Sequence, residues 1–377
     1  RRNTSGDFVA ETINLNAAKY PSMGGAVAIS GDTVIVGCSV GTASANSVLY
    51  QRTGNVWNWN RTFEYYGSSV SIEGNRILLG ALSNPGDGDA GTVYGAAFIY
   101  ELEGSAWLPR QRLTTGNSRA GSSLGSAVAM QGDTMVVGAT DEPNATGTAR
   151  GAAYVFVREF GMWRLQARLT SDSTEALPYF AMRVALDGDT LAIGSTSDAH
   201  VAANGTKTTN VGSVTVFTRS GGVWSRQQKL YASDFASSDN FGTGLAILGN
   251  QLLVGSPNDS DGTGSGQLSI GSTYWFERSG NVWTQKSKFR SGDSRDNQRF
   301  GCAIAIDGNT AVIGAYSLVS PGRNSAVPAR SFSATHPWRT PWPRFPHREP
   351  MSSNAPSRPQ EARPPARGTS WWANSPS

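Results

Sequence analysis

The residues able to do chemistry are few and evenly spaced. Acid or amide side chains follow glycine at Gly31-Asp32, Gly74-Asn75, Gly132-Asp133, Gly188-Asp189, Gly249-Asn250 and Gly308-Asn309. A series of carboxylates could serve acid–base catalysis. The identical setting of every copy points instead to turn chemistry, in which Asp and Asn bond their own backbone. Trp57, Trp107, Trp163, Trp224 and Trp283 could stack on sugars; one per copy at a fixed strand position, they read as packing residues between sheets. Of three His, His336 and His347 lie in a Pro-rich tail and His200 stands alone, so no His cluster exists for a metal or a triad. Cys38 and Cys302 are too few for a zinc site or a disulfide scaffold. They read as two buried thiols, with a disulfide between them left open.

These residues belong to an internal repeat. Six times an apolar run, Gly-Asp or Gly-Asn, and a second apolar run ending in Gly follow one another, as in Ala28–Gly37 and Ser71–Gly80. The turn glycines are 43, 58, 56, 61 and 59 residues apart. A period near 58 signals a solenoid or a propeller. Eight residues before each turn glycine stands a large residue: Met23, Tyr66, Leu124, Phe180, Phe241 or Phe300. Glycine follows it in every copy but one, where Ala181 follows Phe180. The pairs Tyr50 and Trp57, Tyr100 and Trp107, Phe156 and Trp163, Phe217 and Trp224, and Phe276 and Trp283 are each seven apart.

Fixed spacing implies strands paired in register, and variable spacing implies a surface loop. Only the stretch between the glycine closing the second apolar run and the next Tyr or Phe varies, over 13 to 23 residues. All copies of that loop therefore project from one region, the expected place for a ligand. Each Gly-Asp or Gly-Asn between short apolar runs predicts a tight hairpin. Ala153–Val157 predicts a third strand, and the alternation of Trp163–Leu169 a half-exposed fourth. Four antiparallel strands per period make one propeller blade. The fold class is all-β, a β-propeller with six blades visible in residues 1–319.

The pattern Phe-Gly-x-x-x-Ala-Ile, Gly-Asp/Asn-Thr, Val-x-Gly-Ala resembles the FG-GAP repeat, the blade unit of integrin alpha-chain heads. Gly151-Ala152-Ala153-Tyr154-Val155-Phe156 with Trp163 is similar to bacterial-style members. The resemblance spans roughly residues 6–316 and implies a propeller, usually of seven blades. It also implies calcium, because integrin blades carry Asp-x-Asp-x-Asp-Gly loops whose oxygens suit a hard cation. Asp259 and Asp261 lie in one corresponding loop, and Asp87 and Asp89 in another. Pro257 replaces the first acid of the former, and the latter has too few acids.

The net charge of +4 is unevenly placed. Residues 320–377 hold eight Arg, two Glu and 12 of the 18 Pro, which leaves −2 for residues 1–319. A slightly acidic body argues against nucleic-acid binding. No apolar run approaches the 18 or so residues of a membrane span. The tail is expected to be disordered; a shifted reading frame and a genuine basic arm remain open. The start at Arg1 without Met or leader segment fits a fragment or processed product. Phe8–Leu15 reads as an outer strand that could complete blade six, which otherwise supplies only the Phe300–Ala315 hairpin.

The function expected is a non-enzymatic binding module offering its variable loops to a protein or glycan partner. Asn-x-Ser/Thr sequons at Asn3, Asn60, Asn144, Asn204 and Asn258 suit an extracellular or cell-surface setting. The alternative is a propeller-based hydrolase or lyase acting on carbohydrate. That would need blade-unique acids at the central channel, and the inner strands supply none.

Overall fold

A computed structural model describes residues 13, 23–38, 46–64, 67–82, 95–114, 122–143, 151–172, 179–260, 269–291, 297–315 and the backbone of 330–333. Blade one contains β1 (Met23–Ser30), β2 (Thr33–Cys38), β3 (Ser47–Thr53) and β4 (Val56–Phe63). Blade two contains β5 (Ser69–Glu73), β6 (Arg76–Ala81), β7 (Ala96–Glu103) and β8 (Ala106–Leu113). Blade three contains β9 (Leu124–Gln131), β10 (Thr134–Ala139), β11 (Ala152–Glu159) and β12 (Met162–Thr170). Blade four contains β13 (Phe180–Asp187), β14 (Thr190–Ser195), β17 (Ser213–Ser220) and β18 (Val223–Leu230), with a small hairpin of β15 (His200–Val201) and β16 (Lys207–Thr208) in its loop. Blade five contains β19 (Gly244–Leu248), β20 (Gln251–Ser256), β21 (Ser272–Ser279) and β22 (Val282–Phe289). Blade six contains β23 (Ala303–Asp307), β24 (Thr310–Gly314) and β25 (Arg330–Ser333).

Each sheet is an antiparallel meander in chain order, and inner strands pack side by side from blade one to blade six. The second strands are buried on both faces, as in β10 and β14, which is why they read as unbroken apolar runs. Fourth strands are mostly exposed or half-buried instead, as in β18, where only Trp224 and Leu230 are buried. An extra residue bulges the fourth strand opposite the third-strand aromatic in blades one to five. That repeated bulge fixes the Trp register. The six Gly-Asp/Asn turns hold φ of 53–58° at glycine alone, the geometry of a two-residue hairpin with Gly first.

Alternate faces of neighbouring blades form the core. Leu78, Ala97, Ile99 and Leu113 of blade two meet Leu124, Met135, Val137, Tyr154 and Trp163 of blade three. Equivalent clusters join blades three to four and four to five. Phe180, Phe241 and Phe300 are fully buried, each worth about 2 kcal/mol. The Trp side chains serve this packing: the Trp224 and Trp283 indole N–H groups donate to Gln166 and Gln227 of the preceding blade, both at 2.8 Å.

Backbone meets backbone at each junction. A Cβ on Gly37, Gly80, Gly138, Gly194 or Gly255 would fall no more than 2.3 Å from the carbonyl oxygen of Gly67, Gly125, Ala181, Gly242 or Gly301 in the next blade. A second glycine, at the start of the third strand, meets the same segment: a Cβ on Gly212 or Gly271 would strike the Phe241 or Phe300 backbone. In blades three to six this backbone thus enters a slot walled by two glycines of the blade before it; blade one has no glycine at the start of its third strand. Ala181 fills the same role at φ 64°, its carbonyl oxygen facing Gly138 with its Cβ beside it.

The terminal pieces differ from expectation in one place. Arg330–Ser333, assigned by composition to the disordered tail, pairs with Thr310–Ile313 as a third strand of blade six. An unpaired strand edge offers its N–H and C=O groups to any extended backbone, whatever its composition. The other residues expected in the tail lie outside the described residues. Of Phe8–Leu15 only Ile13 is described, and it packs against the blade-one cluster of Val34, Val36, Val48 and Tyr50. Cys38 is buried and Cys302 half-buried, and neither is in a disulfide.

Gly255→Ala is expected to lose about 2 kcal/mol or more of stability in urea unfolding, because rigid backbone must move. Gly314→Ala, whose Cβ would meet only ordinary contacts at 3.4–3.7 Å, is expected to lose less than about 0.5 kcal/mol.

Candidate functional site

Antiparallel order places the Gly-Asp turns at one end of the blades and the variable loops at the other. The turn acids are not brought together. Asp32 and Asp189 each bind an Arg of their own third strand, Arg52 and Arg219, and those guanidinium groups lie over Trp57 and Trp224. Across blades, the Gly132, Gly188 and Gly249 N–H groups donate to side chains of Glu73, Gln131 and Asp187. These carboxylates organise turns.

At the opposite end the loop bases of blades three, four and five are each closed by a buried acid four residues after the second-strand glycine: Glu142, Asp198 and Asp259. Its carbonyl accepts the N–H of Gly151, Gly212 or Gly271 at 3.0–3.1 Å. Its carboxylate meets a cation five residues beyond the blade's Trp: Arg168 at 2.7 Å, Lys229 at 2.6 Å and Lys288 at 2.8 Å. A hydroxyl completes each set, from Tyr154, Ser213 and Ser272. Burial, then the Glu142 carboxylate, pushes Tyr154 up to about 12, so it remains a donor.

Asp259, a residue expected to face calcium, therefore faces Lys288, Arg290 and Ser272. A divalent ion there would have to displace an ammonium and a guanidinium, and this arrangement does not fit one. Asp87, Asp89 and Asp261 lie outside the described residues. Among the described residues no three His, Cys, Asp or Glu side chains gather as a metal site.

A cavity of about 260 Å³ opens at this loop-bearing end, lined by Ser68, Ser123, Ser126, Thr140, Asp141 and Arg183 together with apolar Leu82 and Met182. The end of β10 and the start of β13 position its charges. Asp141 accepts from Ser123 Oγ at 2.6 Å, and Arg183 donates to the Met182 carbonyl at 2.8 Å. Both are unique to their blades. The position of Arg183 holds Ala26, Ser69, Ala127, Gly244 and Ala303 elsewhere, and that of Asp141 holds Val40, Ser83, Ser197, Asn258 and Ser317. The sequence carried this signal, but a search for a non-repeating acid on the inner strands passes over a non-repeating base. A cation, a hydroxyl-held carboxylate and several hydroxyls in one concave site can bind an anionic or polyhydroxylated group.

Of the sequons, Asn204 is exposed at the tip of the β15–β16 hairpin and caps the Thr206 N–H. Asn258 is tied inward to Asn240 and Asp239.

Repeated four-stranded blades joined through glycine slots, with variable loops gathered at one end, define a propeller-type repeat protein. The FG-GAP repeat family matches residues 107–156, 163–217, 224–276 and 283–326, just over half of the chain. The chain belongs to the FG-GAP repeat family. Each of the first three matches runs from the Trp of one blade to the third-strand aromatic of the next, so the family's unit spans a junction. No curated protein matches the chain. A solved structure described as "Structure of YjhT" is similar at 14% identity over 84% of this chain and 97% of that one, with a TM-score of 0.48; a likeness of that size supports no functional inference. Among the described residues no helix is long and apolar enough to cross a membrane.

Two outcomes test the loop bases. Asp259→Asn is expected to destabilise by about 3 kcal/mol in urea unfolding, since it leaves Lys288 and Arg290 without their shared carboxylate. Asp259→Asn combined with Lys288→Met is expected to cost less than the separate changes added together. Asp239 provides the second. Burial foremost, with the Asp259 charge adding and the Ala236 N–H bond opposing, pushes it up from 3.8 to about 6. The folded protein then holds a proton the unfolded chain has released, so this group makes stability fall as pH rises from about 4 to 6. Asp239→Asn should lack that component, on the order of 2–3 kcal/mol, in urea titrations at stepped pH.

Proposed function

We propose that the protein is a non-enzymatic recognition module that presents the loop-bearing end of its propeller to a protein or glycan ligand. The observation that carries this reading is the cavity with its blade-unique Arg183 and Asp141. The other inner-strand positions equivalent to Arg183 are small, so the asymmetry is confined to where the loops converge. Arg183 anchors an anionic group of the ligand, and Ser68, Ser126 and Thr140 accept or donate to its hydroxyls. The variable loops supply the remaining surface. An extracellular or cell-surface setting is supported by the exposed Asn204 sequon. Catalysis of glycoside cleavage ordinarily uses two flanking carboxylates, and Asp141 is the one acid lining this cavity.

The test is a binding screen of immobilised acidic and neutral oligosaccharides and acidic peptides. Arg183→Ala is expected to weaken an anionic ligand of the unaltered protein at least about tenfold, or 1.4 kcal/mol, with an unchanged thermal midpoint. Turnover of a glycoside that disappears in Asp141→Asn would replace this reading with the enzymatic one.

A further inference from the structure

Two opposite charges share the cavity at the loop-bearing end, and together they narrow what can fill it. Its lining comes from four successive blades, with Gly25 from the first, Leu82 from the second, Asp141 from the third and Arg183 from the fourth. The volume of about 260 Å³ is smaller than the roughly 300–1,000 Å³ of sites that enclose a drug-sized molecule, so it holds one ring or one side chain. Asp141 Oδ2 accepts from Ser123 Oγ at 2.6 Å, and Oδ1 accepts from no described residue. Arg183 Nη1 donates to the Met182 carbonyl at 2.8 Å. Neither contact joins the two charges to each other.

Anionic groups differ in how they meet that pair. A phosphate or sulfate ester brings its full charge to Arg183 and no proton for Asp141, and like charges repel strongly in a site walled from bulk water. An acidic peptide side chain has the same fault. A free amino acid brings an ammonium group as well, which has three donors to satisfy, and Asp141 is the one acid lining the cavity. A sugar acid brings a carboxylate on one carbon and hydroxyl donors on its neighbours. The carboxylate matches the planar fork of Arg183, and a hydroxyl donating to Asp141 makes a charge-assisted bond. The C–H face of the ring is apolar and suits Leu82 and Met182, which also line the cavity.

We propose, on the recognition reading above, that the cavity takes one uronic acid unit of an acidic glycan. Its carboxylate lies on the Arg183 guanidinium, and a neighbouring ring hydroxyl donates to Asp141.

Calorimetric titration tests the assignment with short oligomers of glucuronic and of galacturonic acid, and with the same oligomers after reduction of each carboxyl group to an alcohol. A sulfated neutral oligosaccharide and a glutamate-rich peptide are the competing anions. The variants are Arg183→Ala and Asp141→Ser. The chain itself places Ala and Ser at those positions in other blades, and the thermal midpoint checks the fold. At least one uronide is expected to bind, and carboxyl reduction to weaken it about tenfold or more. Arg183→Ala should weaken the uronide to the same degree and leave the reduced oligomer unchanged. Asp141→Ser should weaken both about fivefold, because each donates a hydroxyl to that carboxylate. Preference for the sulfated sugar or the peptide, with binding that tightens in Asp141→Ser, would overturn the uronate assignment and leave the recognition module standing. Equal binding of the uronide and its reduced form would do the same. Binding of none of these ligands, or binding indifferent to both variants, would overturn the assignment and the recognition reading with it.

Discussion

The structure depends on one close approach. From blade three to blade six the backbone after the large residue of the inner strand enters the blade before it, and both walls it meets are glycine; blade two enters beside Gly37, where blade one has no glycine at the start of its third strand. A side-chain atom on the second-strand glycine would occupy the position of the incoming carbonyl oxygen. Blade spacing, and with it the depth to which Phe180, Phe241 and Phe300 are buried, follows from that contact. Interiors tolerate little change of volume, so five such junctions in series leave little freedom in how the blades stack.

This constraint explains why the fold was legible. The glycines and the large residue stand at fixed offsets because they meet each other across a junction, so the period survives wide variation elsewhere. Blade one and the first three strands of blade two lie before the first family match at residue 107, yet Gly37 and Gly80 make the same approach to Gly67 and Gly125. The family's unit, running from one blade's Trp into the next blade's third strand, holds the incoming segment of one junction and the slot glycines of the next.

The candidate site was less legible, for reasons tied to particular residues. Asp259 stands in an acidic loop, and one-dimensional spacing suggests a cation. The Lys288 that neutralises it lies in the fourth strand, 29 residues on, and only pairing of β21 with β22 brings the two together. Arg183 was visible as a departure from small residues, but its company with Asp141 depends on neighbouring blades converging. Arg330–Ser333 had no signal, since it pairs through backbone alone.

The loop bases have a consequence for how such a protein can diversify. Glu142, Asp198 and Asp259 are each satisfied inside their own blade, by a fourth-strand cation and the glycine that opens the third strand. In blades four and five the closure extends one residue into the loop, where the Ala199 N–H donates to Asp198 and the Ser260 carbonyl accepts from Arg290. Each base is thus an interchangeable socket, into which a segment of another length or sequence can be set while the blade beneath keeps its register. Recognition can change at that end without altering the stacking that keeps the blades together.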